Sequence, residues 1–295
     1  MEFQFFLEVL VGGLLAGVMY SLVALGFVLI YKASGVFNFA QGALVLFAAL
    51  TFVGFQNMGL PFWAALIITL GVMVLMGIGI EKIVLRRLVN QPPISLFMAT
   101  IGLSFFIEGL AQMVWGTEVH GLELGITDEP FEVGGVFISS FDLFAAGISG
   151  TLVAVLALFF QKTKLGRALR AVADDHQAAL SVGIPLQHIW AIVWAVAGFV
   201  ALVAGLLWGS RLGVQFALTL VVLKALPVLI LGGFTSVPGA IVGGLIVGAG
   251  EKLAEVYLGP YLSGGIENWF AYVLALVFLM VRPEGLFGER HIERV

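Results

Sequence analysis

Asn38 and Gln41 stand within one helical turn of each other in an otherwise apolar stretch, and Gly42 follows them directly. At the start of a helix the two amides would share a face. They either line a polar pathway or supply the interhelical hydrogen bonds that membrane helices use routinely. Glu108 and Gln112 repeat the pattern inside a second apolar run, and Lys224 lies inside a third. A charge among apolar residues at membrane depth is costly and faces a partner or a cavity. Lys224 is a conceivable counter-ion for Glu108, and a purely structural buried pair is the other reading. The remaining chemistry is concentrated between Lys162 and Leu186, where Arg167, Arg170, Asp174, Asp175, Gln177 and Gly183 occur together.

The chain lacks the pieces of other functional classes. It has no Cys, so disulfides and thiolate metal sites are excluded. His120, His176, His188 and His291 show no ligand spacing, so no metal is expected. No Gly-x-x-x-x-Gly-Lys-Ser/Thr sequence occurs, so no nucleotide site of that type is present. An intramembrane enzyme would need paired carboxylates or a Ser/Lys or Ser/His constellation. The adjacent acid pair Asp174-Asp175 lies among basic residues instead. No catalytic or cofactor-binding residue and no nucleic-acid partner is expected.

The elements that must position these residues are long apolar runs. Hydrophobic residues make up 61% of the 295 residues, and the mean hydropathy is +1.10. Stretches such as Val36–Gly54 and Leu60–Ile80 carry no charge. About 20 apolar residues cross a bilayer as a helix, and one soluble core could not hide so many such runs. The expected fold is an all-α polytopic membrane protein of eight to nine hydrophobic helices, some broken or re-entrant, in one transmembrane domain spanning 1–295. The elements run approximately over 5–31, 36–54, 60–80, 94–116, 141–160, 188–209, 216–233, 238–256 and 266–281. The seventh, which contains Lys224, and the eighth, which reaches Glu251 and Lys252 early, read as half-helices.

Lys and Arg in short loops favour the cytoplasm. Lys32, then Lys82 with Arg86 and Arg87, then Lys162 to Arg170, then Arg282, Arg290 and Arg294 follow alternate elements. The pattern predicts an outside N-terminus and a cytoplasmic C-terminus, with Arg211 the exception. The loop 117–140 has five acidic residues from Glu118 to Glu132 and no Lys or Arg, which suits the external side. The N-terminus lacks the basic region of a cleaved signal and reads as a retained span.

Two segments interrupt apolar sequence with small and polar residues: Leu29 to Gly42, and Leu231 to Gly239 through Gly232, Gly233 and Phe234. Irregular backbone at membrane depth needs protein or water to satisfy it. Paired interruptions in the two halves of a transporter point to its pathway, and two interfacial turns are the alternative. The candidate pathway residues are thus Asn38, Gln41, Gly42, Gly232, Gly233 and Phe234. The Ala-rich loop 162–187 should be helical up to a stop at Gly183–Pro185, with a bend near Asp174-Asp175. A short helix there would contact lipid headgroups, which Arg167 and Arg170 favour, or a cytoplasmic protein, which its Ala/Leu face favours.

Here the residues carry a resemblance. Gln177-Ala178-Ala179-Leu180-Ser181-Val182-Gly183 is similar to the Glu-Ala-Ala-x-x-x-Gly coupling motif of ATP-binding-cassette (ABC) import permeases, with Gln in place of Glu. The preceding Gly166-Arg167-Ala168-Leu169-Arg170-Ala171-Val172-Ala173-Asp174-Asp175 looks like the branched-chain amino-acid permease family. So do Gly35 to Gly42, Lys224-Ala225, Leu231 to Ala240, and the tail Val281 to Gly288, over residues 8–288 in consistent order. The chain is similar to the shorter of two paired permeases. The resemblance implies a bacterial inner-membrane importer subunit for branched-chain amino acids. Its partners would be a second, different permease, two cytoplasmic ATPases that bind ATP and Mg, and a periplasmic substrate-binding protein. ATPase coupling would fall to Arg167, Arg170, Asp174, Asp175, Gln177 and Gly183. Relatives also move urea, short amides and other amino acids. An ion-coupled transporter working alone is the competing class, with Glu108 and Lys224 as its support.

Overall fold

A computed structural model describes residues 2–288 apart from 36, 89–90, 175 and 263, with the side chains of 93, 173–174 and 176–177 also outside the description. The described residues contain twelve α-helices, three short 3-10 helices and one short hairpin. They are α1 (Glu2–Ser34), α2 (Gln41–Asn57), α3 (Phe62–Ile83), α4 (Pro93–Trp115), β1 (Phe131–Val133), β2 (Val136–Ile138), α5 (Ser140–Lys162), α6 (Lys164–Asp174), α7 (His176–Ser181), α8 (Leu186–Leu212), α9 (Leu218–Leu223), α10 (Ala225–Gly232), α11 (Val237–Leu258) and α12 (Phe270–Val281). Six of them are long and apolar enough to cross a membrane: α1, α3, α4, α5, α8 and α11. The chain is an all-α polytopic membrane protein.

Most elements match the hydropathy reading. The seventh is broken as expected, into α9 and α10 with Lys224 between them. The eighth is not a half-helix: α11 runs 22 residues and carries Glu251 and Lys252 within it. It tolerates them because Glu251 is buried against a cation and Lys252 pairs with Glu267 at 3.1 Å. The loop between α4 and α5 forms a hairpin that the charge pattern did not signal, with Phe131 paired to Ile138 and Val133 to Val136.

The helices group into two compact units. One comprises 1–28, 125–154 and 224–295, and the other 29–124 and 155–223. In the first, α1 lies unusually close to α11. A Cβ added at Gly244 would come 2.6 Å from the Gly17 carbonyl oxygen, and one at Gly13 would come 2.8 Å from Ala249 Cα. Ser21 Oγ donates across the same contact to the Ile241 carbonyl at 3.3 Å. Small residues permit this approach, which apolar side chains in lipid cannot drive by themselves. In the second unit α8 is the central helix, buried from Ile189 to Gly209 on the faces that meet α2 and α3. Trp190 Nε1 donates to the Ala33 carbonyl at 3.0 Å, tying α8 to the end of α1 within that unit. Trp115 Nε1 donates to Thr51 Oγ1 at 3.1 Å, joining α4 to α2.

Candidate functional site

The first interruption lies where the chain leaves α1 and enters α2. Asn38 precedes the helix rather than sharing a face with Gln41, as the spacing had suggested. It makes a turn of its own: Asn38 Oδ1 accepts from the Ala40 amide at 3.1 Å. Its side-chain amide donates to Gln41 Oε1 at 3.3 Å. Such a local side-chain turn competes with helix and delays the start of α2. Asn38 and Gln41 are buried, at 1% and 0% exposure. Gln41 Nε2 has no hydrogen-bond partner among the described residues. A buried donor left open is costly, and functional sites are where such groups are found. Gly42 faces α9, where an added Cβ would approach the Thr219 carbonyl oxygen to 3.1 Å. On the α4 side, Phe39 stacks edge-on against Phe97 with centroids 4.9 Å apart. Thr100 Oγ1 donates to the Phe37 carbonyl at 3.3 Å.

The second interruption is built differently. Gly233, at φ +100°, ends α10, and Ser236 caps α11 by accepting from the Gly239 amide at 3.0 Å. The carbonyls freed at the end of α10 are taken by the C-terminal tail. Leu286 N donates to Leu231 O at 2.7 Å, and Phe287 N to Gly232 O at 3.1 Å. Gly239 packs directly on Gly232. Phe234 is half-buried beside this turn.

Two intramembrane charges were singled out from the sequence. Lys224 Nζ pairs with Glu251 Oε1 at 2.8 Å. Tyr20 also hydrogen-bonds to Glu251, which is 3% exposed. Sequence spacing could not find Glu251 as the partner, since 26 residues and a full turn of chain separate the two. Glu108 is half-buried on α4 and accepts one long hydrogen bond, from Ser104 Oγ at 3.5 Å. Among the described residues it has no ion-pair partner.

The basic loop folds into α6 and α7 packed on α8. Thr163 caps α6, its Oγ1 accepting from the Gly166 amide at 3.1 Å. Arg170 donates to the Gln161 carbonyl at 3.2 Å, covering the end of α5, and Arg167 is exposed. Leu169 and Val172 are buried under α6. Asp175 lies outside the described residues, as do the side chains of Asp174 and Gln177. The helices on either side, α6 and α7, end and begin there, at the expected bend. Gly183 takes φ +83°. Its amide bonds to Leu180 O and that of Ile184 to Ala179 O, both at 3.0 Å. This is the glycine-dependent stop that closes a helix by a left-handed residue. Beside it Leu180 and Val182 are 55% and 74% exposed.

Comparison with known proteins accounts for this arrangement. The family model described as the permease component of branched-chain amino acid transport systems matches residues 9–282. The high-affinity branched-chain amino acid transport system permease protein LivH of Salmonella typhimurium is 29% identical, with 100% of this chain and 99% of that one covered. BraD of Pseudomonas aeruginosa, a permease protein of the same description, is 28% identical over 100% and 99% of the two chains. The solved structure of PsaBC from Streptococcus pneumoniae in complex with Fab shares the fold, with a TM-score of 0.51, 15% identity and coverage of 95% and 92%. The chain belongs to the family of branched-chain amino acid transport system permease components.

Proposed function

We propose that this chain is the membrane-spanning permease subunit of an ATP-driven importer for branched-chain amino acids, seated in a bacterial inner membrane. The observation that carries the reading is the match along the whole chain to LivH and BraD, whose names state that substrate. ATP and Mg belong to two cytoplasmic ATPase partners, a periplasmic binding protein delivers the amino acid, and a second permease completes the route. The N-terminus lies outside and the C-terminus inside, following the Lys/Arg distribution.

The coupling surface is the α6–α7 pair. Its buried Leu169, Val172 and Ala179 hold it on α8, while Arg167, Leu180 and Val182 remain exposed for a groove in the ATPase. Asp174, Asp175 and Gln177 occupy the bend by sequence. ATPase closure would push this rigid pair, and α8 would carry the displacement into the membrane. The interrupted segments border the route with different tasks. Asn38, Gln41 and Gly42 offer an open amide in apolar surroundings. Gly232, Gly233 and Phe234 hold the α10–α11 turn in shape, with the tail over it.

Assembly and sidedness test this reading together. The chain is expected to co-purify with the ATPase. Cysteines introduced singly by Glu123→Cys and Arg170→Cys should be labelled by an impermeant thiol reagent from opposite sides, against a background without native Cys. Labelling of both from outside in sealed cells would refute the orientation. Gly183→Val should lower transport while insertion persists, because β-branched residues resist φ +83°. Wild-type transport and substrate-stimulated ATPase activity in that variant would refute the coupling role.

A further inference from the structure

One flank of α4 is unlike every lipid-facing surface a membrane helix tolerates. Phe97, Ser104, Glu108 and Gln112 follow each other at spacings that keep them on one side of the helix. The adjoining face, with Leu96, Thr100, Leu103, Ile107 and Ala111, is buried. It meets α2. The flank is not: Phe97, Ser104 and Glu108 are half-buried and Gln112 is exposed. Glu108 lies about two turns from the end of α4, well inside the apolar span. Hydrocarbon does not accept a carboxylate there unless water or a cation meets it. Among the described residues, the hydrogen bond it accepts comes from the Ser104 hydroxyl, at 3.5 Å.

Two further observations tell what meets it. At one end, the helix runs on into a loop that carries Glu118 and Glu123 and no Lys or Arg of its own, with the Arg211 end of α8 bridged to it through His120 and Val214. The carboxylates of the loop favour cations over anions. At the other end, Phe97 on the same flank touches Phe39 in the first interruption, where Gln41 Nε2 lies buried without a partner. The flank thus joins an acidic mouth, an uncompensated carboxylate and an uncompensated amide donor, with apolar rings between. A zwitterionic amino acid with an aliphatic side chain presents an ammonium, a carboxylate and an apolar group, which is the complementary set.

We propose that Glu108, with Ser104 and Gln112 beside it, faces the water-filled substrate route of the assembled transporter and receives the α-ammonium group of the incoming amino acid. This rests on the importer reading above. Glu108 is then a specificity-determining residue, since a neutral or anionic solute gains nothing from it. Water in the route screens the contact, which keeps it weak enough to release substrate.

The test uses the complete complex with its ATPase, partner permease and binding protein, carrying Glu108→Cys or Phe106→Cys in this chain. Phe106 is 66% exposed on the opposite flank of α4 and is the lipid-side control. A hydrophilic, membrane-impermeant methanethiosulfonate added outside should modify the cysteine at 108 and not the one at 106. Leucine-loaded binding protein with ATP should slow the modification at 108. A membrane-soluble maleimide should reach the cysteine at 106. Reaction at 108 with the maleimide alone would overturn the proposal in favour of lipid. Protection from both reagents would overturn it in favour of a covering subunit. Glu108→Gln should cut leucine uptake about tenfold or more, the worth of one hydrogen bond to a charged group. Complex yield should hold, and Glu108→Asp should retain most uptake. Unchanged uptake in Glu108→Gln would overturn the ammonium role. Failure of the wild-type complex to take up leucine would refute the importer reading instead, and the labelling at 108 would still decide whether that position faces water.

Discussion

The two interrupted segments look alike in sequence and are opposite in structure. At Gly232–Gly239 the freed polar groups are closed. Leu286 and Phe287 donate to the end of α10, Ser236 caps α11, and the neighbouring Lys224 and Glu251 neutralise each other at 2.8 Å. At Asn38–Gly42 the Asn38 side chain completes its own turn, but Gln41 keeps a buried donor open, and α4 beside it carries an unpaired carboxylate. Polar groups that are fully paired fix a geometry, and groups left open in an apolar setting await something else. The difference is what supports the proposal that the second segment keeps shape and the first meets substrate.

The comparison breaks most visibly at Lys224. Lys224→Met strands the Glu251 carboxylate, at a cost of about 3–5 kcal/mol. The thermal midpoint of the complex in detergent should fall sharply, and Glu251→Leu added to it should recover most of the loss. A single Lys224→Met variant as stable as wild type would remove the structural role of the pair. Leu286→Pro deletes the amide that serves Leu231 O and should cost about 1–3 kcal/mol, the penalty for an unsatisfied buried acceptor. The same melting experiment reads it. Gln41→Leu should be the reverse case. Its open donor contributes little to folding, and the loss of the Oε1 that Asn38 donates to limits the cost to about 1–3 kcal/mol, while leucine uptake falls. A large loss of stability with normal uptake would make Gln41 a structural residue. Lys252→Ala breaks a pair whose members are 38% and 39% exposed. It should shift stability by less than about 1 kcal/mol, which calibrates how much of the Lys224 effect is burial.

Sequence alone located most of the spans, the breaks and the helical loop after Lys162, because each is a local property. Apolar length marks α1, α3, α4, α5 and α8, and Gly183 marks the stop after α7. Three features escaped it because they are settled by distant contacts. Glu251 made α11 look short, and only its burial beside Lys224 and Tyr20 lets the helix continue. Asn38 has ordinary spacing for a helical face, yet its side chain bonds the Ala40 amide first and stands outside the helix. The tail Gly285 to Gly288 gave a family signature but no hint that its amides close the end of α10. The polar flank of α4 was half legible. Glu108 and Gln112 were visible as a pair, whereas the lack of a cation partner required the packed structure.

The importer assignment is tested most directly by uptake of radiolabelled leucine into vesicles containing this permease with its partner permease and ATPase. The account predicts accumulation that requires both ATP inside the compartment facing α6–α7 and binding protein on the opposite side, and that survives collapse of ion gradients. Leucine accumulation by this chain alone, driven by a proton or sodium gradient and indifferent to ATP, would contradict it.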